Sequence, residues 1–158
     1  MEKVPFTKSG LQQLKNELDH LKKNERPSVI RAISVAREHG DLSENAEYHA
    51  AKEKQSFIEG RITELEDVLS RADVIDLSKL NSNKVTFGTK VEVLDTELNK
   101  KITYSVVGPY EANLEEGLIS VSSPLARALL GKSKNEVVEV NTPRGIKVYE
   151  IISIDIIN

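Results

Sequence analysis

The first half of the chain has the apolar spacing of two long helices. One apolar series near the start steps by three and four residues, at Leu11, Leu14, Leu18 and Leu21. A second series has the same steps, at Ile58, Ile62, Leu65 and Leu69. Narrow seams of this kind pair two helices as a coiled coil. The first half is therefore predicted to be a helical hairpin.

The ends of the two predicted helices are marked by residues that favour helix termini. Thr7 is a good N-cap, so the first helix is predicted to begin at Lys8. Gly40 can adopt the left-handed conformation of a C′ residue, so this helix is predicted to end near His39. The turn that follows is short. The second helix, which runs to Ala72, is therefore expected to lie antiparallel to the first.

Pro27 interrupts the seam of the first helix. A heptad continued from Leu21 would place Glu25 and Ser28 in the seam, and proline removes a backbone donor. An apolar stripe restarts after Pro27 in a shifted phase, at Val29, Ile30, Ile33 and Ala36. Because helix-favouring residues lie on both sides, the sequence predicts a kink or stutter near Pro27, not the end of the helix.

From about Val85 the apolar pattern changes to that of β-strands. Six segments rich in β-branched residues follow, separated by glycine and proline: 85–87, 89–93, 102–107, 118–121, 136–140 and 146–154. One short helix interrupts them, since Ser123 and Pro124 form an N-cap and first-turn pair and Gly131 ends the apolar run. The predicted fold is α+β with two domains. A coiled-coil hairpin at 1–76 and a linker at 77–84 precede an antiparallel β-sheet domain with a short helix at 85–158.

Composition and charge narrow the classes of function. The chain has 158 residues, of which 30% are charged, and it has no cysteine, which excludes disulfides and cysteine-based zinc sites. Neither a signal peptide nor a membrane-spanning stretch is visible, so we expect a soluble cytoplasmic protein. Residues 1–77 carry 12 basic and 15 acidic side chains, and the remainder carries ten of each. That balance excludes strong binding to free nucleic acid.

Two carboxylates, Asp41 and Glu44, follow Gly40 in the predicted turn. Their spacing is that of a capping box, in which Asp41 caps the second helix and Glu44 occupies N3. Alternatively, they bind a divalent cation. Mg²⁺ takes six oxygen ligands, so two carboxylates could only complete a site that another macromolecule has begun. There the metal could activate water for attack on a phosphodiester. Both interpretations stay open. They are also compatible, because a capping role would fix the orientation of the carboxylate.

Other side chains near the turn are less specific. Arg37, Lys52 and Lys54 could neutralise phosphates, or they could belong to a solvated helix face. Tyr48 and Phe57 are predicted to be packed and not to stack on bases. The three histidines lack the spacing of a zinc motif, and the chain has neither a phosphate-binding glycine loop nor the sequence signature of a nucleophile–base triad.

Residues 36–53 resemble the hairpin tip of bacterial transcript cleavage factors of the Gre family; they read AREHGDLSENAEYHAAKE. The resemblance extends over essentially the whole chain, through FIEGRITELEDVL, VIDLSKL and LISVSSPLARALLGK. It implies that the coiled coil enters the secondary channel of bacterial RNA polymerase in its elongation complex. Asp41 and Glu44 would help the polymerase to hold its second Mg²⁺ and to position the attacking water. The polymerase itself would then cleave the backtracked 3′ end of the nascent RNA and resume elongation.

The resemblance also implies an RNA contact and a docking surface. The basic patch of the family maps onto Arg37 and Lys52, beside the tip. The second domain would be FKBP-like and would dock on the polymerase through Ser122, Ser123 and Pro124, which from their residue types alone indicate only a helix cap. We expect a monomer with no small-molecule substrate, no membrane partner and no tightly bound cofactor, since Mg²⁺ would be held jointly with the polymerase. The thin basic patch favours short backtracked RNA.

Three other functions are considered. An inhibitory factor that enters the same channel without stimulating cleavage is disfavoured by the intact tip acids. A peptidyl-prolyl isomerase or chaperone would need a ligand pocket lined by aromatic side chains, and the chain has no tryptophan and few aromatic residues. A plain coiled-coil scaffold would make the charge of the tip irrelevant as long as the helix remains capped.

Overall fold

The computed structural model describes residues 2–40 and 45–158. Its contacts divide the chain into a hairpin unit, Leu11–Ala72, and a sheet unit, which combines Glu2–Gly10 with Asp73–Asn158. This division differs from the predicted boundaries of 1–76, 77–84 and 85–158. The reason is that the first residues of the chain pack with the second half, as described next.

A two-stranded sheet places the amino terminus in the sheet unit. Strand β1 (Val4–Phe6) pairs with β2 (Ala72–Val74), and Ile75 N–H donates to Phe6 O at 2.9 Å. The Phe6 side chain is fully buried. Gly108 approaches the Pro5 carbonyl so closely that a Cβ there would collide with it. Neither strand was predicted, because three residues are too few to show a β period.

The hairpin unit is built from helices α1 (Lys8–His20), α2 (Arg26–Arg37) and α3 (Ala46–Ser70), with a π-helical turn at Leu21–Glu25 between the first two. The predicted start at Lys8 is confirmed, because Thr7 Oγ1 accepts Gly10 N–H at 3.0 Å as an N-cap does. In the described residues, 2–40 and 45–158, no helix is both long enough and apolar enough to cross a membrane.

The π-helical turn confirms the predicted stutter near Pro27. Arg26 N–H donates to the carbonyl of Leu21, five residues back, which inserts one extra residue into the helix. Pro27 lies in the first turn of α2, where it has no N–H to donate and its ring would crowd the carbonyl of Lys23 in a regular helix. The extra residue relieves that clash. It also explains why the apolar stripe restarts in a different phase.

A narrow apolar seam joins the helices of the hairpin. Val29, Ile58 and Ile62 are buried together, and Leu18 and Leu21 pack against them. Ion pairs flank this seam. Two of them are bidentate: Arg26 Nε and Nη2 each lie 2.8 Å from Glu59, and Arg61 Nε and Nη2 lie 2.7 and 3.0 Å from Glu17.

These contacts show that α2 and α3 are antiparallel, as predicted. The start of α2 pairs with the middle of α3 through Arg26 and Glu59, whereas its end faces the beginning of α3 through Arg37 and Tyr48.

The sheet unit contains a five-stranded sheet. Its strands are β3 (Thr89–Asp95), β4 (Lys100–Val107), β5 (Leu118–Ser120), β6 (Val137–Thr142) and β7 (Gly145–Ile156), in the spatial order β5-β4-β3-β7-β6. All neighbours are antiparallel except β4 and β5, which are parallel. The sheet is therefore mixed and not purely antiparallel as predicted. The ten residues after β4 carry the chain back to the level of Ser105, so that β5 runs parallel to the last three residues of β4.

The predicted first strand, 85–87, is not a strand. Val85 is fully buried, but it exchanges backbone hydrogen bonds with the segment after the short helix α4 (Pro124–Leu129): Val85 N–H donates to Lys132 O, and Gly131 N–H donates to Val85 O. The β-branched pattern there reflects burial without pairing to a strand. The predicted limits of α4 are confirmed by Ser123, whose Oγ accepts Ala126 N–H at 3.2 Å, and by the positive φ of Gly131, +80°.

One apolar core fills the sheet unit, since the inner faces of the strands and of α4 form a single cluster. Its buried members are Val85, Val91, Val93, Tyr104, Val106, Ile119, Ala126, Leu129, Val138, Val140, Tyr149, Ile151 and Ile154.

Candidate functional site

The candidate site lies at the turn of the hairpin, between the end of α2 and the start of α3. Helix α2 ends at Arg37, and Gly40 has a φ of +106°, a conformation that favours glycine. The two acids predicted to act there, Asp41 and Glu44, lie outside the described residues. The residues that flank them, Gly40 and Asn45, are described.

Asn45 is the N-cap of α3. Its backbone is extended, and its Oδ1 accepts Tyr48 N–H at 3.0 Å, as an N-cap side chain does at N3. The predicted capping box, with Asp41 as the cap and Glu44 at N3, was wrong because the helix begins at Ala46, later than the spacing indicated. The N-terminus of α3 is therefore capped without either acid.

The same side chain also reaches the preceding helix. Asn45 Nδ2 donates to the carbonyl of Ala36 at 2.7 Å. That carbonyl belongs to the last turn of α2, where carbonyls have no partner within the helix. It also accepts His39 N–H at 3.1 Å, so both of its lone pairs are used. Sequence reasoning missed this residue. The available signal was an asparagine directly before an alanine, with Glu47 in the first helical turn.

Two further contacts cross the tip. The Arg37 guanidinium lies 6.0 Å from the centre of the Tyr48 ring, the outer limit of a cation–π contact. His39 Nδ1 lies 3.5 Å from a carboxylate oxygen of Glu47. Together with the two bonds of Asn45, these contacts fix the end of α2 against the start of α3.

The structure brings Arg37 and Lys52, the two predicted RNA contacts, to one groove. It has a volume of about 240 Å³ and lies across α2 and α3, where Ile30, Ile33, Ser34 and Gln55 form the rest of its lining. Both basic residues are exposed, and Lys52 Nζ donates to Gln55 Oε1 at 3.4 Å. Lys54 does not line the groove and lies 3.7 Å from Glu25 instead. The groove therefore presents two cationic groups beside the tip.

The predicted packing of the two aromatic side chains holds for one of them. Tyr48 is half-buried beside Arg37 and meets His49 edge to face, with ring centres 5.5 Å apart. The side chain of Phe57, however, is 74% exposed. Its neighbour Ile58 occupies the seam, so Phe57 projects from the flank of α3.

The metal ligands available at the tip suit a magnesium site shared with a partner better than a site formed by this chain alone. Within residues 2–40 and 45–158, no group of three or more His, Asp or Glu side chains is placed to hold a metal ion. Asp41 and Glu44 offer the hard carboxylate oxygens that Mg²⁺ prefers, but two carboxylates leave most of an octahedral shell open. A partner would have to supply the remaining ligands.

In the sheet unit, two of the three predicted docking residues line an apolar groove of about 450 Å³. Ser123 and Pro124 form part of its lining, together with Leu118, Pro143 and the 70% exposed Leu114. Ser122 is not part of it; its Oγ lies 2.9 Å from Ser120 Oγ. The cap made by Ser123 is also present, so its structural role and a docking role are compatible.

Comparison with known proteins identifies the family. A family model described as "Transcription elongation factor, N-terminal" matches residues 4–74, and one described as "Transcription elongation factor, GreA/GreB, C-term" matches residues 80–156. The chain belongs to the GreA/GreB family of transcription elongation factors. The resemblance drawn from the tip motif is thereby confirmed, and so is the two-domain α+β fold with its helical hairpin.

Relatives match over nearly the whole length. Transcription elongation factor GreA of Rhodospirillum rubrum is 59% identical over 151 residues, 96% of each chain. The protein of the same name from a Caulobacter species is 58% identical over 155 residues, 98% of this chain and 99% of its own. The crystal structure of GreA factor homolog 1 (Gfh1) of Thermus thermophilus is 29% identical, covering 98% of this chain and 99% of its own, with a TM-score of 0.45. At that TM-score the structural likeness adds nothing to the assignment, which rests on the sequence matches.

Proposed function

We propose that this elongation factor acts on RNA polymerase in the cytoplasm and stimulates cleavage of backtracked RNA. Its hairpin enters the secondary channel and carries Asp41 and Glu44 to the active site of the polymerase. The observation that supports this proposal is the cap made by Asn45, because it leaves both acids without the capping role that their spacing indicated. The polymerase performs the hydrolysis. The factor is accessory and is not itself an enzyme.

The two acids act as ligands in a shared site. Their carboxylates complete an oxygen shell that the polymerase begins, and they orient the attacking water. Mg²⁺ bound there supplies an activated water and stabilises the charge on the phosphodiester. Since the ion is held jointly, the free factor works without a tightly bound cofactor and needs no small-molecule substrate.

The groove beside the tip holds the extruded RNA. Arg37 and Lys52 neutralise phosphates and fix the position of the strand, while the apolar side chains of Ile30 and Ile33 form a floor without sequence preference. Two cations span only a few nucleotides. We therefore propose that the factor acts on short backtracked 3′ ends and releases short fragments.

The apolar groove of the sheet unit supports docking on the polymerase. Ser123 and Pro124 are held rigidly at the start of α4 by the cap, and the exposed Leu114 offers apolar surface beside them. Such a groove suits a protein surface better than a nucleic acid, because its lining is largely uncharged. A single copy of the chain, docked in this way, is the active form.

The test is RNA release from a purified, backtracked elongation complex. We expect Asp41→Asn and Glu44→Gln each to slow cleavage about 10- to 100-fold at saturating factor, the usual effect of weakening a metal site. Both variants should still compete with the wild type for the polymerase and keep its helicity, because Asn45 caps α3 in all of them.

Glu53→Gln is the matched control. It removes an exposed carboxylate of α3 that lies away from the turn, and it should cleave as the wild type does. Full cleavage by both tip variants would overturn the proposal. Mainly long released fragments would overturn its RNA-length part.

A further inference from the structure

The flank of α3 carries an exposed aromatic ring beside an open position. The Phe57 side chain is 74% exposed. Gly60 follows it by about one helical turn, and a Cβ built there would meet no atom of the described chain within 4 Å, apart from the backbone of its own helix. These two residues line a groove of about 470 Å³ together with Ser56, Arg61 and Glu64, and the five are termed the Phe57 patch. The surface of α3 therefore presents a projecting ring next to a hollow.

The fold of the described chain does not require a glycine at position 60. Gly60 lies well inside α3 (Ala46–Ser70), where glycine is the least favourable residue after proline. Its φ is not among the positive values that favour glycine, and no other described segment approaches it closely. A glycine that lowers helix stability without serving a turn or the packing leaves the backbone of α3 open to another molecule.

Both charged members of the Phe57 patch are paired within the hairpin. Arg61 Nε and Nη2 lie 2.7 and 3.0 Å from Glu17, and Arg61 Nη1 donates to Glu64. The patch therefore offers no unpaired cation to a phosphate, and it suits a protein surface better than a nucleic acid. An aromatic side chain within a ring of satisfied polar groups is the usual centre of a protein–protein interface.

The Phe57 patch is too small to hold two copies of the chain together. The other large apolar side chains exposed on the described part of the hairpin, Ile30 and Val35, belong to α2. An aromatic side chain buries roughly 150–250 Å², whereas a stable interface buries about 1,200–2,000 Å² in total. The Phe57 ring therefore suits one contact within a larger interface better than the centre of a homodimer.

Phe57 lies on the side of α3 away from the proposed RNA groove. It follows Lys52 by five residues and Gln55 by two, and both of these line that groove. In a helix of about 3.6 residues per turn, these separations correspond to about 140° and 160° around the axis. A strand in the RNA groove would therefore leave the Phe57 patch free for a second contact.

We propose that Phe57 and Gly60 anchor the hairpin to the protein wall of the polymerase channel, an inference that rests on the function proposed above. The Phe57 ring enters an apolar hollow of the wall, and an apolar side chain of the wall fills the space above Gly60. The larger interface that the patch needs is the one made by the inserted hairpin. One flank of α3 then contacts RNA and the other contacts protein.

The experiment measures binding of the whole chain to a backtracked elongation complex, by displacement of a fluorescently labelled wild type. We expect Phe57→Ala to raise the concentration for half-maximal displacement by about 30-fold, the usual effect of removing an aromatic anchor. At saturating concentration, this variant should still cleave at the wild-type rate. Val35→Ala is the matched control, since it also truncates an exposed apolar side chain of the hairpin, and it should bind as the wild type does.

Gly60→Gln separates docking from helix stability, because the two should change in opposite directions. Glutamine favours a helix more than glycine does, so the melting temperature at 222 nm should rise by about 2 °C. The new side chain occupies the hollow, so binding to the elongation complex should weaken by about tenfold. A variant that gains stability and binds as the wild type does would show that Gly60 has no part in docking.

Crosslinking identifies the molecule that lies against the Phe57 patch. A benzophenone side chain placed at position 57 should crosslink to a protein subunit of the polymerase in the elongation complex. Crosslinks to RNA or to a second copy of the factor would overturn the inference, and so would wild-type binding by Phe57→Ala. If Asp41→Asn and Glu44→Gln still cleave normally, the proposed metal chemistry fails instead, and the displacement assay still decides the role of Phe57.

Discussion

The two units of this factor use their apolar residues differently. The sheet unit gathers thirteen buried residues into one cluster, whereas the seam cluster of the hairpin has three buried residues, Val29, Ile58 and Ile62. The hairpin supplements that thin seam with ion pairs at the helix surface, of which Arg26–Glu59 and Arg61–Glu17 are bidentate. The sheet unit is stabilised mainly by burial of its apolar core. The other is held by a line of contacts along its length.

The sheet unit also encloses polar groups. In the sheet unit, Asp95 is buried, and its Oδ1 accepts the N–H groups of Glu97 and Leu98 while Lys147 lies 3.2 Å from its Oδ2. The Leu98 N–H above all, and then Lys147 and the Glu97 N–H, lower the pKa of this carboxyl. Burial, with a contribution from Tyr149, raises the pKa of Tyr104 to about 12.

This difference in packing bears on which unit can carry the candidate site. Helices satisfy their own backbone hydrogen bonds, so a two-helix hairpin can extend a turn away from any large core. The proposed chemistry lies on that hairpin, at a turn whose flanking helices are joined by contacts of Asn45, Arg37 and His39. The sheet unit, which is built around a large apolar core, carries the groove that we propose for docking.

The largest expected effect is in the enclosed core. Ile151→Ala truncates a fully buried side chain of β7, and we expect it to lower the free energy of unfolding by about 4 kcal/mol. The chain has no tryptophan, so the buried Tyr104 and Tyr149 can report on this core. Urea unfolding followed by near-ultraviolet circular dichroism should show an earlier midpoint. The helical signal at 222 nm should shift less.

The same substitution in the hairpin provides the matched comparison. Ile62 is as well buried as Ile151, at 2% and 0% exposure, but it has fewer neighbours in its cluster. The long, flexible side chains around the seam can close part of the cavity, so we expect Ile62→Ala to cost about 2 kcal/mol. The 222 nm transition should move and the tyrosine transition should stay. If Ile62→Ala lowered the free energy of unfolding as much as Ile151→Ala or more, the sheet unit would not depend more on its apolar core than the hairpin does.

The sequence predicted most elements of both units because their periods are strong. The apolar seams predicted the hairpin, and the β-branched segments predicted the five strands of the sheet. Ser123 and Gly131 predicted the limits of α4. The parallel pairing of β4 with β5 could not be read in the same way. Strand direction depends on where a connection leads the chain, and the residues of the connection do not encode that in any period.

At the tip, the sequence predicted the turn but not which of its residues caps α3. Asp41 and Asn45 are both good caps, and local spacing favoured Asp41 because Glu44 completed a capping box. Which of the two begins the helix is decided by the length of turn needed to bring α3 back against α2. That is a tertiary constraint, and the Asn45–Ala36 bond is its visible part. The roles of Asp41, Glu44, Arg37 and Lys52 remain predictions.

The smallest expected effect concerns the ion pairs that supplement the seam. The hydrogen-bonded Arg26 guanidinium lowers the pKa of Glu59 below its ordinary value of 4.5. A carboxyl whose pKa is lowered by folding stabilises the folded state at pH values above its unfolded pKa. That contribution is lost as the pH falls through the lowered folded value. Glu59→Gln lacks it at every pH, so the variant should melt slightly earlier than the wild type at pH 7.

The difference between the two melting temperatures should close as the pH is lowered from 5 to 3, and it should also shrink in high salt, because the pair is partly exposed and therefore screened. Thermal melts at 222 nm over this pH range measure it. Glu53→Gln is the control, since Glu53 is exposed on the same helix and makes no ion pair with any residue that the structure describes. A melting-temperature gap that persists unchanged at pH 3 would show that Glu59 contributes through packing and not through its charge. The hairpin would then be stabilised mainly by packing, as the sheet unit is.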